Sequence, residues 1–285
     1  MKKSLREILS AIPPTEYLSG GRIISDQVHA APVGDVINET IIKLLKPNPT
    51  KGSNKIYMGY GGFINFDYVC HLNPSGAIFC DINKRQELFW PAFFQLMKEC
   101  ETPETLLKGF SVSRKMEFKD IREKERLMPY VESDSKHMAV WLKDPKKYKK
   151  LRDMIIAGNI CELTIDVLDS ERHEQLHKVL RVDNALEIDW IYLSNIIYFI
   201  KQKQALGERH GNLINNALGK KLTGDFYRSD GISDDSPAAL CLENQVHLCS
   251  ENTQIIRLTS SPRDSVMGIT DLMRLSMNER MGGRS

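Results

Sequence analysis

The clearest structural signal in the chain is the stretch from residue 56 to residue 81, IYMGYGGFINFDYVCHLNPSGAIFCD. Its two short apolar runs, 56–58 and 77–80, are typical of buried strands. The first run leads directly into the glycine-rich residues 59–62, and the second ends at Asp81. Between them, apolar side chains recur at the spacing of one helix face. This stretch therefore predicts a strand, a glycine loop, a helix and a second strand.

The same alternation continues downstream. The pattern predicts a long amphipathic helix over 84–101, mostly helical sequence over 103–158, and a third strand over 160–165. A polar helix over 170–181 then separates this strand from a fourth one over 186–193. Strands that alternate with helices indicate an α/β fold, here a Rossmann-like, mostly parallel sheet with helices on both faces.

The C-terminal part has a different pattern, in which short apolar runs are separated by turn residues. It predicts an antiparallel C-terminal edge of the sheet, with strands over 238–243, 246–249 and 254–259. We expect residues 1–54 to form an N-terminal helical cap. Residues 55–285 would then form one α/β domain with a helical insert over 84–158.

Composition limits the classes of protein and partner. Of the 285 residues 41% are hydrophobic and 27% are charged, as in ordinary globular proteins. Lys and Arg total 39 against 37 Asp and Glu, so the net charge of +2 creates no strong overall field for a polyanion, and any nucleic-acid site must be local. No apolar run is long enough to span a bilayer. The six scattered cysteines indicate reduced thiols, and we expect a cytoplasmic location.

Ligands of open α/β sheets bind beyond the carboxyl ends of the strands, so the residues after each strand are the candidate site. After the first strand, Gly59, Gly61 and Gly62 would let a ligand approach the backbone closely, or they could only serve a tight turn. About twenty residues further on, Asp81 could accept the hydroxyl hydrogens of a ribose, or cap the next helix.

The third and fourth predicted strands end in polar residues as well. Asp166 could contact the amino group of an adenine, or act as a helix cap or turn residue. Ser194 and Asn195 interrupt an otherwise apolar run, where a bound substrate or cofactor would supply their hydrogen-bond partners.

Together these segments resemble the S-adenosylmethionine-dependent methyltransferases with a Rossmann-like fold. The resemblance rests on residues 56–62, 65–68, 77–82 and 191–196, and it is particularly close to a little-characterised bacterial branch with a long helical insert after the second strand's acid. It implies that S-adenosylmethionine is the cofactor. The cofactor-binding residues would be Gly59, Gly61, Gly62, Asn65, Asp81, Asp166 and Ser194.

The resemblance also implies an activity, methyl transfer to a small-molecule or protein acceptor. Transfer of the aminocarboxypropyl group from the same cofactor is a related alternative. The fourth strand lacks the Asn/Asp-Pro-Pro-Tyr motif, which argues against amino-directed methylation of nucleic acids. The catalytic residue is not defined by any motif, and the candidates are Ser194, Asn195, Tyr192 and His29.

Two further motifs suggest other functions. His173 and His177 belong to an H-E-x-x-H pattern, which would suit a zinc hydrolase with Glu187 or Glu208 as third ligand. The basic run over 143–152 could hold phosphates, with Tyr148 stacking on a base, although such a run is more often a solvated helix face. A non-catalytic scaffold with this fold is the remaining alternative.

Overall fold

A computed structural model describes residues 3–13, 40–45, 47, 54–60, 62–81, 84–112, 139–194, 237–257 and 266–282. These residues form a six-stranded sheet in the order β3-β2-β1-β4-β5-β6. The strands are β1 (Lys55–Tyr60), β2 (Gly76–Asp81), β3 (Ile160–Thr164), β4 (Glu187–Ser194), β5 (Cys249–Arg257) and β6 (Val266–Met267). The five longer strands are parallel and β6 is antiparallel to β5. The predicted α/β class is confirmed.

Helices connect and cover these strands. We label them α1 (Leu5–Leu9), α2 (Ile64–Leu72), α3 (Lys84–Glu99), α4 (Pro103–Val112), α5 (Val140–Lys143), α6 (Pro145–Ile156), α7 (Ser170–His177), α8 (Pro237–Leu248) and α9 (Ile269–Gly282). A π-helical turn, Lys178–Val182, extends α7. All structure that is described between β2 and β3 is helical, from α3 to α6.

The alternating side chains of the sheet divide the core into two layers. Tyr57, Phe79 and Tyr192 face a first core that is built with α2 to α6. Met58 and Ile78 face a second core on the opposite side, which contains α1, α7 and α8. Helices therefore cover both faces of the sheet, as predicted.

The C-terminal strands differ from the prediction. The segment 238–248 is helical in α8, and β5 runs parallel to β4 rather than antiparallel. The antiparallel edge consists of the short β6 alone among the described residues. The apolar run from Ala238 to Leu242 fits a buried helix as well as a strand, because runs of this length do not distinguish the two periods.

A buried carboxylate in α2 anchors the start of the short helix α5. Asp67 in α2 is fully buried, and its two carboxylate oxygens accept hydrogen bonds of 2.8 Å from the backbone N–H groups of Ala139 and Val140. These are the first donors of α5, which its own backbone cannot satisfy. Asp67 therefore fixes the start of α5 against α2.

Two other features bear on the predicted class of protein. The six cysteines are all free thiols. No helix in the described part of the chain has the length and hydropathy needed to cross a membrane.

Candidate functional site

The strand order reverses between β1 and β4. The chain proceeds from β1 outward to β2 and β3, then crosses back to β4 on the other side of β1. In open α/β sheets ligands bind at this reversal, outside the carboxyl ends of the strands. Register pairs Gly59 with Tyr192 across β1 and β4, and Tyr60 with Cys80 across β1 and β2. The carboxyl ends of β1, β2 and β4, where Gly59, Asp81 and the backbone of Ser194 lie, therefore share one edge of the sheet.

The loop after β1 is held by Asn65. Its side-chain oxygen accepts a hydrogen bond of 2.6 Å from the Tyr57 hydroxyl, and its amide nitrogen donates one of 2.9 Å to the Gly62 carbonyl. A Cβ atom added at Gly59 would lie 2.1 Å from the Asn65 side-chain oxygen. Gly59 is thus a glycine because Tyr57 and Asn65 fill the space beside it. The predicted cofactor contacts of Gly59 and Asn65 stay predictions.

Asp81 ends β2 at the same edge. Its side chain is only partly buried, and its backbone carbonyl accepts a hydrogen bond of 3.0 Å from Ile165. This bond and the pairing with Thr164 continue the ladder between β2 and β3 to the end of both strands. The carboxylate is therefore attached to a fixed backbone, next to the strand that carries the glycine loop.

Asp166 forms the turn after β3. It is 5% exposed, and one carboxylate oxygen accepts a hydrogen bond of 2.9 Å from the Leu168 N–H. Its carbonyl accepts one of 3.0 Å from Asp169, and Asp169 in turn caps α7 through the Arg172 N–H. These bonds support the alternative that Asp166 is a turn residue, and its contact with adenine stays a prediction.

Of the four catalytic candidates, Tyr192 alone has its side chain within the described residues. The Tyr192 ring is fully buried in the first core, 4.9 Å from the ring of Tyr68. Ser194 is the last residue of β4 and pairs with Arg257 in β5. The side chain of Ser194, together with His29, Gly61 and Asn195, lies outside the described residues.

The two histidines of the H-E-x-x-H pattern have different surroundings. His173 is fully buried; its Nδ1 lies 2.8 Å from the Asp169 carbonyl, and its Nε2 lies 3.0 Å from the Gln245 amide nitrogen. His177 is partly exposed and lines a shallow depression with Glu187. In the part of the chain that the structure describes, no three His, Cys, Asp or Glu side chains form a metal site. Both nitrogens of His173 are engaged within the fold.

Sequence reasoning did not single out the buried polar cluster around this histidine. The Tyr60 hydroxyl, at the end of β1, lies 3.3 Å from both the Nε2 of His173 and the amide nitrogen of Gln245. Burial lowers the pKa of His173, so the ring is neutral and its Nε2 accepts the hydrogen bond from Gln245. Tyr60 stands within the glycine-rich motif, so the sequence could have marked it as a candidate, whereas no local sequence pattern marks Gln245.

The residues at this edge fit S-adenosylmethionine in one chemical respect. A carboxylate at the end of the strand beside the glycine loop suits a ribose, whose two hydroxyl groups are hydrogen-bond donors. The amide group of Asn65 is less suited to bind the cofactor, because its oxygen and its nitrogen both form hydrogen bonds within the protein. Asp81 is therefore the residue on which the fit depends.

Comparison with known proteins gives three findings. A family model described as a domain of unknown function (DUF7790) matches residues 124–209. No curated protein matches the chain. Among solved structures, the chain is similar to the rRNA methyltransferase aviRa from Streptomyces viridochromogenes, with 15% identity, coverage of 96% of this chain and 99% of that one, and a TM-score of 0.36.

Proposed function

We propose that the chain is an S-adenosylmethionine-dependent transferase, most simply a methyltransferase. The observation that carries the proposal is the reversal of strand order between β1 and β4, with Asp81 ending the strand on the other side of β1. The cofactor would lie across the carboxyl ends of β1 and β2, with Asp81 accepting hydrogen bonds from the ribose.

The bound cofactor supplies a methyl group attached to a positively charged sulfur. The chain has to hold the acceptor in line with that group, exclude water and remove a proton where the acceptor must lose one. Ser194 and Asn195, at and just after the end of β4, are the proposed residues for this step. The burial of Tyr192 under Tyr68 supports Ser194 and Asn195 in preference to it.

Because the net charge of the whole chain is only +2, the proposed acceptor is a small molecule or a protein. Aminocarboxypropyl transfer would use the same binding site and would differ in its products. Mass spectrometry separates the two reactions, because a methylated acceptor gains about 14 Da whereas an aminocarboxypropylated one gains about 101 Da, and the residual nucleosides differ as well.

Cofactor binding is tested by calorimetric titration with S-adenosylmethionine and with S-adenosylhomocysteine. We expect Asp81→Asn to weaken binding of both by about 1.5 to 3 kcal/mol, the cost of losing a charge-assisted hydrogen bond. The matched control is Asp153→Asn, which neutralises an exposed carboxylate on α6 and should bind like the unaltered chain.

Absence of any binding isotherm for the unaltered chain would contradict the proposal. Equal affinity of Asp81→Asn and the unaltered chain would remove Asp81 from the site. Binding without turnover on small molecules, proteins and RNA would support the scaffold alternative instead of the enzyme.

A further inference from the structure

The most basic helix of the described structure is α6. This helix carries five basic side chains and a single acidic one, so its net charge is +4 and the rest of the chain sums to −2 against the overall +2. Its apolar side chains Tyr148, Leu151 and Ile155 are buried in the first core. Of the five basic side chains, Lys146 and Lys149 are exposed on the side of the helix away from the core, and the other three are partly buried.

Little of this positive charge is neutralised within the fold. Lys150 donates to the side-chain oxygen of Asn73, which is uncharged. Arg152 donates to the backbone carbonyls of Met97 and Lys98 at 3.2 and 2.6 Å, which are uncharged as well. These bonds fix the two cations in position, and no carboxylate of the described residues forms an ion pair with either of them.

The single carboxylate of the helix makes one ion pair. Lys149 lies 2.7 Å from Asp153, but both side chains are more than half exposed. Pairs of this kind contribute little and are weakened further by salt. Burial lowers the pKa of Lys150, and the like charge of Lys147 contributes in the same direction.

We infer that the outward face of α6, through Lys146, Lys147, Lys149 and Lys150, binds the phosphate backbone of a nucleic acid. Side chains three and four residues apart on a helix are neighbours, so these four lysines form one continuous positive surface. Phosphates are the ligand class that such a surface attracts, with release of counterions.

The neighbouring side chains argue for phosphate contacts without base recognition. Tyr148, which sequence reasoning offered for base stacking, is fully buried and donates its hydroxyl hydrogen to the Cys100 carbonyl. An anionic membrane fits less well, because a membrane-binding helix inserts its apolar side into the lipid. Here that side is already packed in the core, and only Ile156 at the last turn is exposed.

The surface is connected to the proposed site through α5 and α2. The segment that leads into α6 begins at Ala139 and Val140, which Asp67 holds against the first turn of α2. That turn directly follows the loop after β1. A nucleic acid on α6 would revise the acceptor expected from net charge alone, although its binding does not require the cofactor.

Fluorescence anisotropy of labelled oligonucleotides tests this inference with the full chain and no cofactor. The probes are a single-stranded RNA, a single-stranded DNA and an RNA duplex, each of 20 nucleotides per strand, which identify the source of the phosphates. We expect log Kobs to fall linearly with log salt, with a slope of about −3 for four contacts to a single strand. Lys146→Gln/Lys149→Gln should weaken binding about tenfold and reduce the magnitude of the slope by about 1.4.

The matched control is Lys178→Gln/Arg181→Gln, which removes two exposed cations from the π-helical turn on the other side of the sheet. It should bind like the unaltered chain. No binding at 50 mM salt, or equal loss in both double variants, would overturn the inference. Sedimentation with phosphatidylserine vesicles, without binding to any oligonucleotide, would also overturn it.

Discussion

At the scale of single residues, the loop after β1 shows what the sequence could and could not predict. The glycine-rich motif and the strand before it were located correctly, because apolar runs and glycines are local signals. That the Tyr57 hydroxyl reaches Asn65 depends on how β1 and α2 pack, which no local pattern reveals. Gly59 therefore has a packing role that the motif alone could not show.

This packing role predicts the effect of a single methyl group. Gly59→Ala would place a Cβ 2.1 Å from the Asn65 side-chain oxygen and 2.5 Å from the Tyr57 hydroxyl. Since both neighbours are buried and hydrogen-bonded to each other, we expect a loss of about 3 kcal/mol in the free energy of unfolding. Urea denaturation measures the loss.

Gly268→Ala is the matched control, because no atom lies within 4 Å of a Cβ added there. It should change stability by less than about 0.5 kcal/mol. Equal stability of the two variants would contradict the packing described for Gly59.

The buried His173 predicts how stability depends on pH. Burial lowers its pKa in the folded state below the usual 6.5, so between the folded pKa and 6.5 the unfolded state binds the additional proton. Its contribution to stability is fully present above pH 6.5 and is lost as the pH falls towards the folded pKa. The slope contributed by one such group is at most about 1.4 kcal/mol per pH unit.

Burial also lowers the pKa of His177, so this residue contributes to the pH dependence of stability in the same direction as His173. Denaturation of the unaltered chain and of His173→Gln, each at pH 5, 6 and 7, separates the two contributions. We expect the variant to be less stable at pH 7 and to lose less stability on acidification. A parallel loss in both proteins would show that His173 does not titrate as described.

At the scale of elements, the regular alternation allowed β1 to β4 to be predicted, and α8 was missed. Strands that end at glycine or an acid have clear boundaries. The predicted strand 238–243 also ends at an acid, Glu243, but the structure continues this segment as a helix to Leu248, because a short apolar run does not distinguish a strand from a buried helix. The connection of α5 to α2 was equally hidden, because it depends on a carboxylate seventy-two residues earlier in the chain.

That carboxylate is the basis of a prediction about α5 and its neighbour α6. In Asp67→Ala the N–H groups of Ala139 and Val140 lose two charge-assisted hydrogen bonds, so we expect a cost of about 2 to 4 kcal/mol. Amide hydrogen exchange of α5 and the start of α6 should accelerate more than that of β1.

Asp153→Ala, on the exposed side of α6, is the control and should leave exchange in α5 unchanged. Acceleration spread evenly over the whole sheet in Asp67→Ala would mean that Asp67 supports global stability and not the helices after β2 in particular.

At the scale of the whole molecule, one sheet separates two cores, and the proposed site lies at the edge where the strand order reverses. The sequence predicted the class of fold because β1 to β4 and the residues that follow them could be recognised separately. It could not predict how charge is distributed, since a net charge of +2 averages a basic α6 with a slightly acidic remainder. A positively charged surface on a single helix therefore cannot be recognised from the net charge of the whole chain.

The most direct test of the proposed function is a crystal structure of the chain with S-adenosylhomocysteine. The proposal predicts density for this molecule beyond the carboxyl ends of β1 and β2, with both ribose hydroxyls within about 3.2 Å of the Asp81 carboxylate. Density elsewhere on the molecule, or none at a concentration that saturates the calorimetric isotherm, would contradict the proposal.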